Sequence, residues 1–309
     1  MRILLAVDGS KFSEAATQTV IVQARPECTE VRVLHVIDIL TNQLPEMMAY
    51  YPGIEHARDA RRKLAETLVA KTAELLRAKN LNVTTVVELG SPKSKIIDTA
   101  AEWHADLIVL GSHGRTGLDR FLLGSLPDSV LRHAYCSVEL VRIPRPAKGS
   151  KTIDGATKGK LRRILLAIDD SKFSEAASRL LIEQVRPDET EVRVLHVVEA
   201  LPFLVARGTG GYDAALDEVK DARTKQAEDL VAKIAETLRA KGLKVSTAVA
   251  KGDPKSKILD TAEHWKADLI VLGSLGGTGL ERFLMGSVSD AVVRHARCSV
   301  EIARSGPAS

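Results

Sequence analysis

The chain has 309 residues, 45% of them hydrophobic and 27% charged, with a formal net charge of +4. That length suggests two domains of ordinary size, and the composition excludes a wholly disordered or collagen-like chain. No apolar run approaches the ~20 residues needed to span a bilayer, and ILLAV at 3–7 is halted by Asp8 before it can act as a signal-peptide core, so a cytoplasmic protein without a membrane partner is expected.

In chain order, the first predicted strand is ILLAV (3–7), ending at Asp8, and the second is VRVLHV (31–36). A long helix follows, with Leu64, Leu68, Leu75 and Leu76 expected on one face because their spacing suits a 3.6-residue period. The third strand is NVTTVVE (82–88), and Ser91-Pro92 reads as the N-cap and first turn of the next helix. The fourth strand, DLIVL (106–110), runs directly into GSHGRTGLDRFLLGS; a helical segment and a last strand, SVELVRI (137–143), complete the set. Short apolar strands alternating with helices are the pattern of a parallel sheet covered on both faces. Five strands and four helices make a doubly wound α/β domain.

The same set then recurs. RILLAVDGSKFSEAA (2–16) returns as RILLAIDDSKFSEAA (163–177), VRVLHV returns at 192–197, and GSPKSKIIDTA (90–100) returns as GDPKSKILDTA (252–262). RHAYCSVEL (132–140) returns as RHARCSVEI (294–302). A period this long is a duplicated domain and not a solenoid. The expected organisation is a first domain at 1–143, a basic linker at 144–160 and a second domain at 161–305.

Residues 142–163 carry eight Lys or Arg against Asp154 alone, a net +7 that leaves −3 for the rest. Nucleic acid is therefore not an expected partner of the folded parts. With Pro144, Pro146, Gly149, Gly155 and Gly159, the stretch reads as a flexible linker, a basic anion-binding arm being the alternative. Cys28, Cys136 and Cys298 are too few and too scattered for a disulfide framework or a zinc site, so packed, reduced thiols are expected.

The glycine-rich loop is the main chemical signal. Gly111 and Gly114, then Gly124-Ser125 ahead of a helix, have counterparts in Gly273, Gly276, Gly286 and Ser287. Glycines admit positive φ and close approach of backbone N–H groups to an anion, and a helix N-terminus adds unpaired donors, so a diphosphate or triphosphate is one guest that fits. Glycines that merely make turns fit as well, since neither GxxxxGK[ST] nor a GxGxxG after the first strand is present. Asp8 and Asp169 end the first strand of each repeat and project at the carboxyl edge, where ligands of open α/β sheets collect. Beside a polyphosphate they would need a hard cation such as Mg²⁺ as a bridge. His35 and His196 fall inside strands, and His133 and His295 end helices, so structural roles are expected of all four. His113 stands in the loop itself, but one histidine without a paired carboxylate or nucleophile is a weak catalytic signal.

Taken together, the strand-ending Asp in LAVDGS and LAIDDS, the LHV strand, the GSP or GDP helix start and both glycine loops resemble the universal stress proteins, as two UspA-type domains in tandem. The resemblance covers nearly everything except the linker, and the loops are similar to those of the ATP-binding members. It implies an adenine-nucleotide alpha-hydrolase-like fold, with the two five-stranded domains related by a pseudo-twofold axis. It further implies ATP with Mg²⁺, Asp8 and Asp169 near phosphates and metal, and adenine contacted by the backbone of Val36 and Val197. Gly111, Gly114, Arg115, Gly124 and Ser125, with Gly273, Gly276, Gly286 and Ser287, would hold ribose and phosphates. It also implies pairing of the last strands within the chain, as an intrachain pseudo-dimer open to further homodimerisation. The expected function is a nucleotide-dependent stress or signalling switch with slow hydrolysis at most. The rival readings are an Mg²⁺-dependent ATPase or phosphotransferase and a nucleotide-free scaffold. The second repeat has Leu275, Gly277 and Asp170 where the first has His113, Arg115 and Gly9, so the first site is expected to bind more tightly.

Overall fold

β-Branched and leucine-rich runs place the strands as expected. In the computed structural model, which describes residues 1–38, 53–113, 123–143, 162–199, 212–274 and 285–304, β1 spans Arg2–Ala6, β2 Glu30–Asp38, β3 Asn82–Gly90, β4 Leu107–Gly111 and β5 Ser137–Val141. Between them run α1 (Lys11–Gln23), α2 (Gly53–Arg77), α3 (Pro92–Glu102) and α4 (Ser125–His133). The second repeat gives β6 (Arg162–Ile168), α5 (Lys172–Gln184), β7 (Thr190–Val198), α6 (Tyr212–Arg239), β8 (Lys244–Lys251), α7 (Pro254–Trp265), β9 (Leu269–Gly273), α8 (Ser287–His295) and β10 (Ser299–Ala303).

The chain divides into two units, and the division does not follow the repeat. The first unit comprises Met1–Arg145, Glu183–Arg186 and Ser299–Ser309; the second comprises Pro146–Ile182 and Pro187–Cys298. In the first unit the strand order is β3-β2-β1-β4-β5-β10. Its first five strands are parallel, and β10 is antiparallel to β5 with Val300 opposite Leu140, Glu301 opposite Glu139 and Ile302 opposite Val138. The expected pairing of SVELVRI with SVEIARS is therefore present. In the second unit the order is β9-β6-β7-β8, all parallel. The linker at 144–160 and most of the divergent segment after the second strand lie outside the described residues.

The first core is built on Ile3, Leu5, Val31, Val33, Leu107 and Val109, under α1 and α2. The helix face differs from the one the leucines suggested. Ala65, Val69, Thr72, Ala73 and Leu76 are buried, whereas Leu64 and Leu75 are 71% and 53% exposed. At roughly 100° per residue, 65, 69, 72 and 76 share a face, and 64, 68 and 75 lie about a quarter turn away. Small Ala65 and Ala73 let α2 lie close to the sheet, a role that leucine spacing does not reveal.

Arg304, just beyond β10, is buried, and it donates from its guanidinium to the carbonyls of Leu131 and Ala134. Burial draws its pKa below the ordinary arginine value, an effect the neighbouring Cys136 sulfur opposes. None of the three cysteines is in a disulfide, and Cys28 is exposed, so the expectation of uniformly packed thiols fails there. Cys136 is buried, which pushes its pKa up to about 12 against the pull of Arg304. Since the thiolate is the reactive form, alkylation at pH 8 should modify Cys28 first and leave Cys136 unmodified until the chain unfolds. Peptide mass spectrometry after a timed pulse checks this, and early labelling of Cys136 would contradict its burial.

Candidate functional site

At the carboxyl edge of the first unit the chain reverses strand order, because β1 lies between β2 and β4. Such a switch point opens a crevice between the loops that leave neighbouring strands. Asp8 follows β1, Val36 lies near the end of β2, and Gly111 closes β4, so the topology brings these three expected residues to one edge.

The turn after β1 is held by its own polar groups. Asp8 accepts the Ser10 N–H at 3.0 Å, the Gly9 N–H donates to Ser13 Oγ at 3.1 Å, and Ser10 Oγ caps α1 by accepting the Ser13 N–H at 3.3 Å. Gly9 sits at φ 78°, a left-handed conformation that other residues adopt at a cost. Behind it, His35 Nδ1 donates to the Val7 carbonyl at 2.6 Å, which fixes the ring in the structural role expected of it.

The glycine loop meets this turn directly. A Cβ on Gly111 would fall 2.6 Å from Phe12 Cβ and 2.9 Å from the Phe12 carbonyl carbon, so the packing of α1 against β4 itself requires glycine there. The His113 ring stacks on Phe12 with centroids 5.1 Å apart. Its Nδ1 lies 3.2 Å from Ser112 Oγ, while Nε2 is buried with no hydrogen-bond partner among the described residues. Gly114 and Arg115 lie outside those residues.

The chain returns at Gly124, whose N–H donates to the Ser112 carbonyl at 3.2 Å and which caps α4 in an extended conformation. Since Pro127 has no N–H and the Asp128 N–H is taken by the Gly124 carbonyl, the first-turn amides open to a ligand are those of Ser125 and Leu126. They combine with the positive end of the helix dipole at the edge that also carries Asp8. Ser112, only 2% exposed, is a site residue that motif reading missed. Its signal was the repeated Gly-Ser directly after LIVL in both copies.

The second unit repeats the plan with one rebuilt turn. Gly286 caps α8 and donates to the Ser274 carbonyl at 2.8 Å, and Ser289 Oγ donates to the Gly273 carbonyl at 2.7 Å. Asp169 follows β6 and Val197 lies in β7, at the corresponding edge, with Ser287 opening α8; Gly276, Leu275 and Gly277 lie outside the described residues. Asp170 replaces Gly9 and does not take a positive φ. Here the serine hydroxyl shifts by one amide: Ser174 Oγ pairs with the Asp169 N–H at 2.8 Å. Asp169 Oδ1 then accepts the Ser171 N–H at 3.1 Å and the hydroxyls of Ser171 and Ser174 at 2.5 and 2.8 Å. His196 Nδ1 has no hydrogen-bond partner among the described residues, unlike His35.

No three His, Cys, Asp or Glu converge among the described residues in a way that would hold a metal. The strand-ending carboxylates Asp8 and Asp169 suit a Mg²⁺ that keeps waters and takes its remaining ligands from phosphate oxygens. A shallow depression of about 290 Å³ beside Met1, Arg2, Cys28 and Asn82 lies at the opposite, amino edge of the sheet.

The model of the Universal stress protein family matches residues 1–142 and again 160–304. A universal stress protein of Mycobacterium tuberculosis strain H37Rv is 27% identical over 310 residues, covering 98% of this chain and 96% of that protein. One from Methanocaldococcus jannaschii is 31% identical over 143 residues, 46% of this chain and 82% of its own length. Among solved structures, a universal stress protein from Archaeoglobus fulgidus superposes with a TM-score of 0.63 at 21% identity, covering 99% and 96% of the two chains, and so shares the fold. No helix among the described residues is long and apolar enough to cross a membrane.

Proposed function

The chain belongs to the universal stress protein family, in two tandem copies, and on that premise we propose that it is a cytoplasmic ATP-binding stress or signalling protein whose shape or partner choice responds to nucleotide. The observation that supports the reading is the strand order at the first carboxyl edge, which brings Asp8 after β1, Val36 near the end of β2 and the loop after β4, with its return to the Ser112 carbonyl at the start of α4, to one side of the sheet. The Ser125 and Leu126 amides, with Gly114 and Arg115 from the loop, bind phosphate oxygens, and the backbone of Val36 binds adenine. Mg²⁺, held through Asp8 and phosphate, offsets the repulsion between that carboxylate and the anion. Gly273, Gly276, Gly286, Ser287, Asp169 and Val197 do the same in the second copy.

The two sites are unequal in this reading. Asp169 Oδ1 accepts three hydrogen bonds, so a metal at the second site would be taken by Oδ2. Asp170 adds a further negative charge that Gly9 does not. That charge favours the first copy.

Denaturing the purified protein and identifying the released ligand by mass spectrometry tests the reading, followed by calorimetry with ATP, with and without Mg²⁺. An adenine nucleotide, tighter binding with Mg²⁺ and a turnover number below about 1 s⁻¹ are expected. Binding of no adenine nucleotide at millimolar concentration would leave a scaffold in its place. A turnover number of about 1–10³ s⁻¹ would make the protein an enzyme.

A further inference from the structure

Helix α4 is short, and both of its ends are held from outside. It has nine residues and is about 13 Å long, well below the ~12–15 residues at which an isolated helix becomes even marginally stable in water. Its direction is therefore set by what it packs on and by what grips its ends. At the N-terminus the grip is the Gly124 N–H on the Ser112 carbonyl. At the C-terminus it is Arg304, whose guanidinium takes the carbonyls of Leu131 and Ala134. Arg304 is itself fixed by its backbone N–H, which donates to Ser137 Oγ at 3.0 Å, at the start of β5.

The electrostatics of this contact are unusual. Arg304 is only 9% exposed and forms no ion pair among the described residues, so its buried charge has carbonyl oxygens as its counterpart. The Leu131 oxygen belongs to the last turn, at the negative end of the α4 dipole, and the Ala134 oxygen lies just beyond it at the C-cap. The positive end of that dipole is the pair of amides, Ser125 and Leu126, assigned above to phosphate. The residue that completes this arrangement lies in the second repeat by sequence and in the first unit by packing.

We propose that Arg304 is a positioning residue for the first nucleotide site: its tether on the C-terminal carbonyls of α4 holds the Ser125 and Leu126 amides in line with the phosphates. The inference rests on the nucleotide reading of that site. Pairing of β10 with β5 and phosphate binding are then linked, because the strand that makes the pair also delivers the arginine.

The test uses the full chain carrying Gly286→Asp, which blocks the second site, as the parent for Arg304→Gln and Arg304→Lys. Affinities for ATP and for adenosine, which has no phosphate, are measured by calorimetry alongside thermal melting. Arg304→Gln should weaken ATP roughly 3- to 30-fold, the range of a partly buried charge at a helix end, and change adenosine less than about twofold. Arg304→Lys, which keeps the charge without the fork, should fall between parent and Arg304→Gln, and it carries the comparison if the glutamine variant does not fold. Equal weakening of ATP and adenosine, or no weakening of either, overturns the proposal. A parent that binds adenosine and ATP equally well overturns it too, since no phosphate contact then remains to be positioned. A parent that binds neither removes the nucleotide reading and this inference together.

Discussion

Substituting Gly124→Asp should abolish ATP binding at the first site while the chain stays folded. Gly124 has φ −60° and ψ 148°, an extended conformation open to any residue, and aspartate is among the preferred N-caps. A Cβ there would meet Pro127 Cδ at 3.2 Å and the Ser112 carbonyl oxygen at 3.3 Å, so the neighbours must yield by a few tenths of an ångström. The carboxylate would then occupy the amides that phosphate needs and repel the anion. Two unit charges about 4 Å apart near a protein surface interact by about 4 kcal/mol, roughly a thousandfold in affinity. Gly124→Ala carries the same steric load without the charge and should retain most of the binding. Calorimetry on Gly124→Asp in the Gly286→Asp background reads the effect directly. ATP binding at the affinity of the Gly286→Asp parent would show that the phosphates do not lie at α4.

Glu139→Leu should produce the largest loss of stability among conservative-volume changes in the first unit. Glu139 and Glu301 are both 0% exposed and stand opposite one another across β5 and β10. Gln23 Nε2 donates to Glu139 Oε2 at 2.8 Å, and Gln184 Nε2 donates to Glu301 Oε2 at 3.0 Å and, at a longer 3.4 Å, to Glu139 Oε2. Leucine fills the space but removes the acceptor of the 2.8 Å bond from the buried Gln23 amide, a loss of about 1–3 kcal/mol, while Gln184 keeps its bond to Glu301. In a unit of this size that corresponds to roughly 2–12 °C in Tm. Glu139→Gln keeps an acceptor and should cost far less. Thermal melting followed by circular dichroism separates the two, and a leucine variant that melts with the parent would mean the cluster contributes nothing.

The sequence made the strands legible because parallel strands buried on both faces are written as unbroken apolar runs, and ILLAV and DLIVL are such runs. Repetition then supplied what periodicity could not, since a loop whose glycine spacing recurs together with its closing Gly-Ser is unlike an ordinary turn. The residues that escaped did so for physical reasons. Leu64 and Leu75 are large and correctly spaced, yet the sheet is met by alanines, because close packing rewards small side chains that hydropathy ranks low. Glu139 is a charged residue within a predicted last strand, and only the pairing of β5 with β10, joining positions 157 apart at Arg142 and Ser299, shows it to be interior. Gly111 carried a ligand signal in sequence and a packing signal in structure, and the contact with Phe12 accounts for it without a ligand. Asp8 and Gly124 could be placed at one edge from topology alone, whereas the rebuilt turn at Asp169 needed coordinates.

The assignment of β10 to the first unit has a consequence for synthesis on the ribosome. Translation proceeds from the N-terminus, so every residue of β1 to β5 is available long before Ser299 is made. At about 5–20 residues per second, the 157 positions between Arg142 and Ser299 correspond to roughly 8–30 s during which the edge of β5 has no partner strand. Throughout that interval Glu139 lacks Glu301 opposite it, and α4 lacks Arg304. The nascent first repeat is thus a strand-accepting intermediate, open to the β5 edge of a neighbouring nascent chain on the same message. Slow translation of the second repeat would lengthen that exposure, and codon usage there becomes a determinant of folding yield.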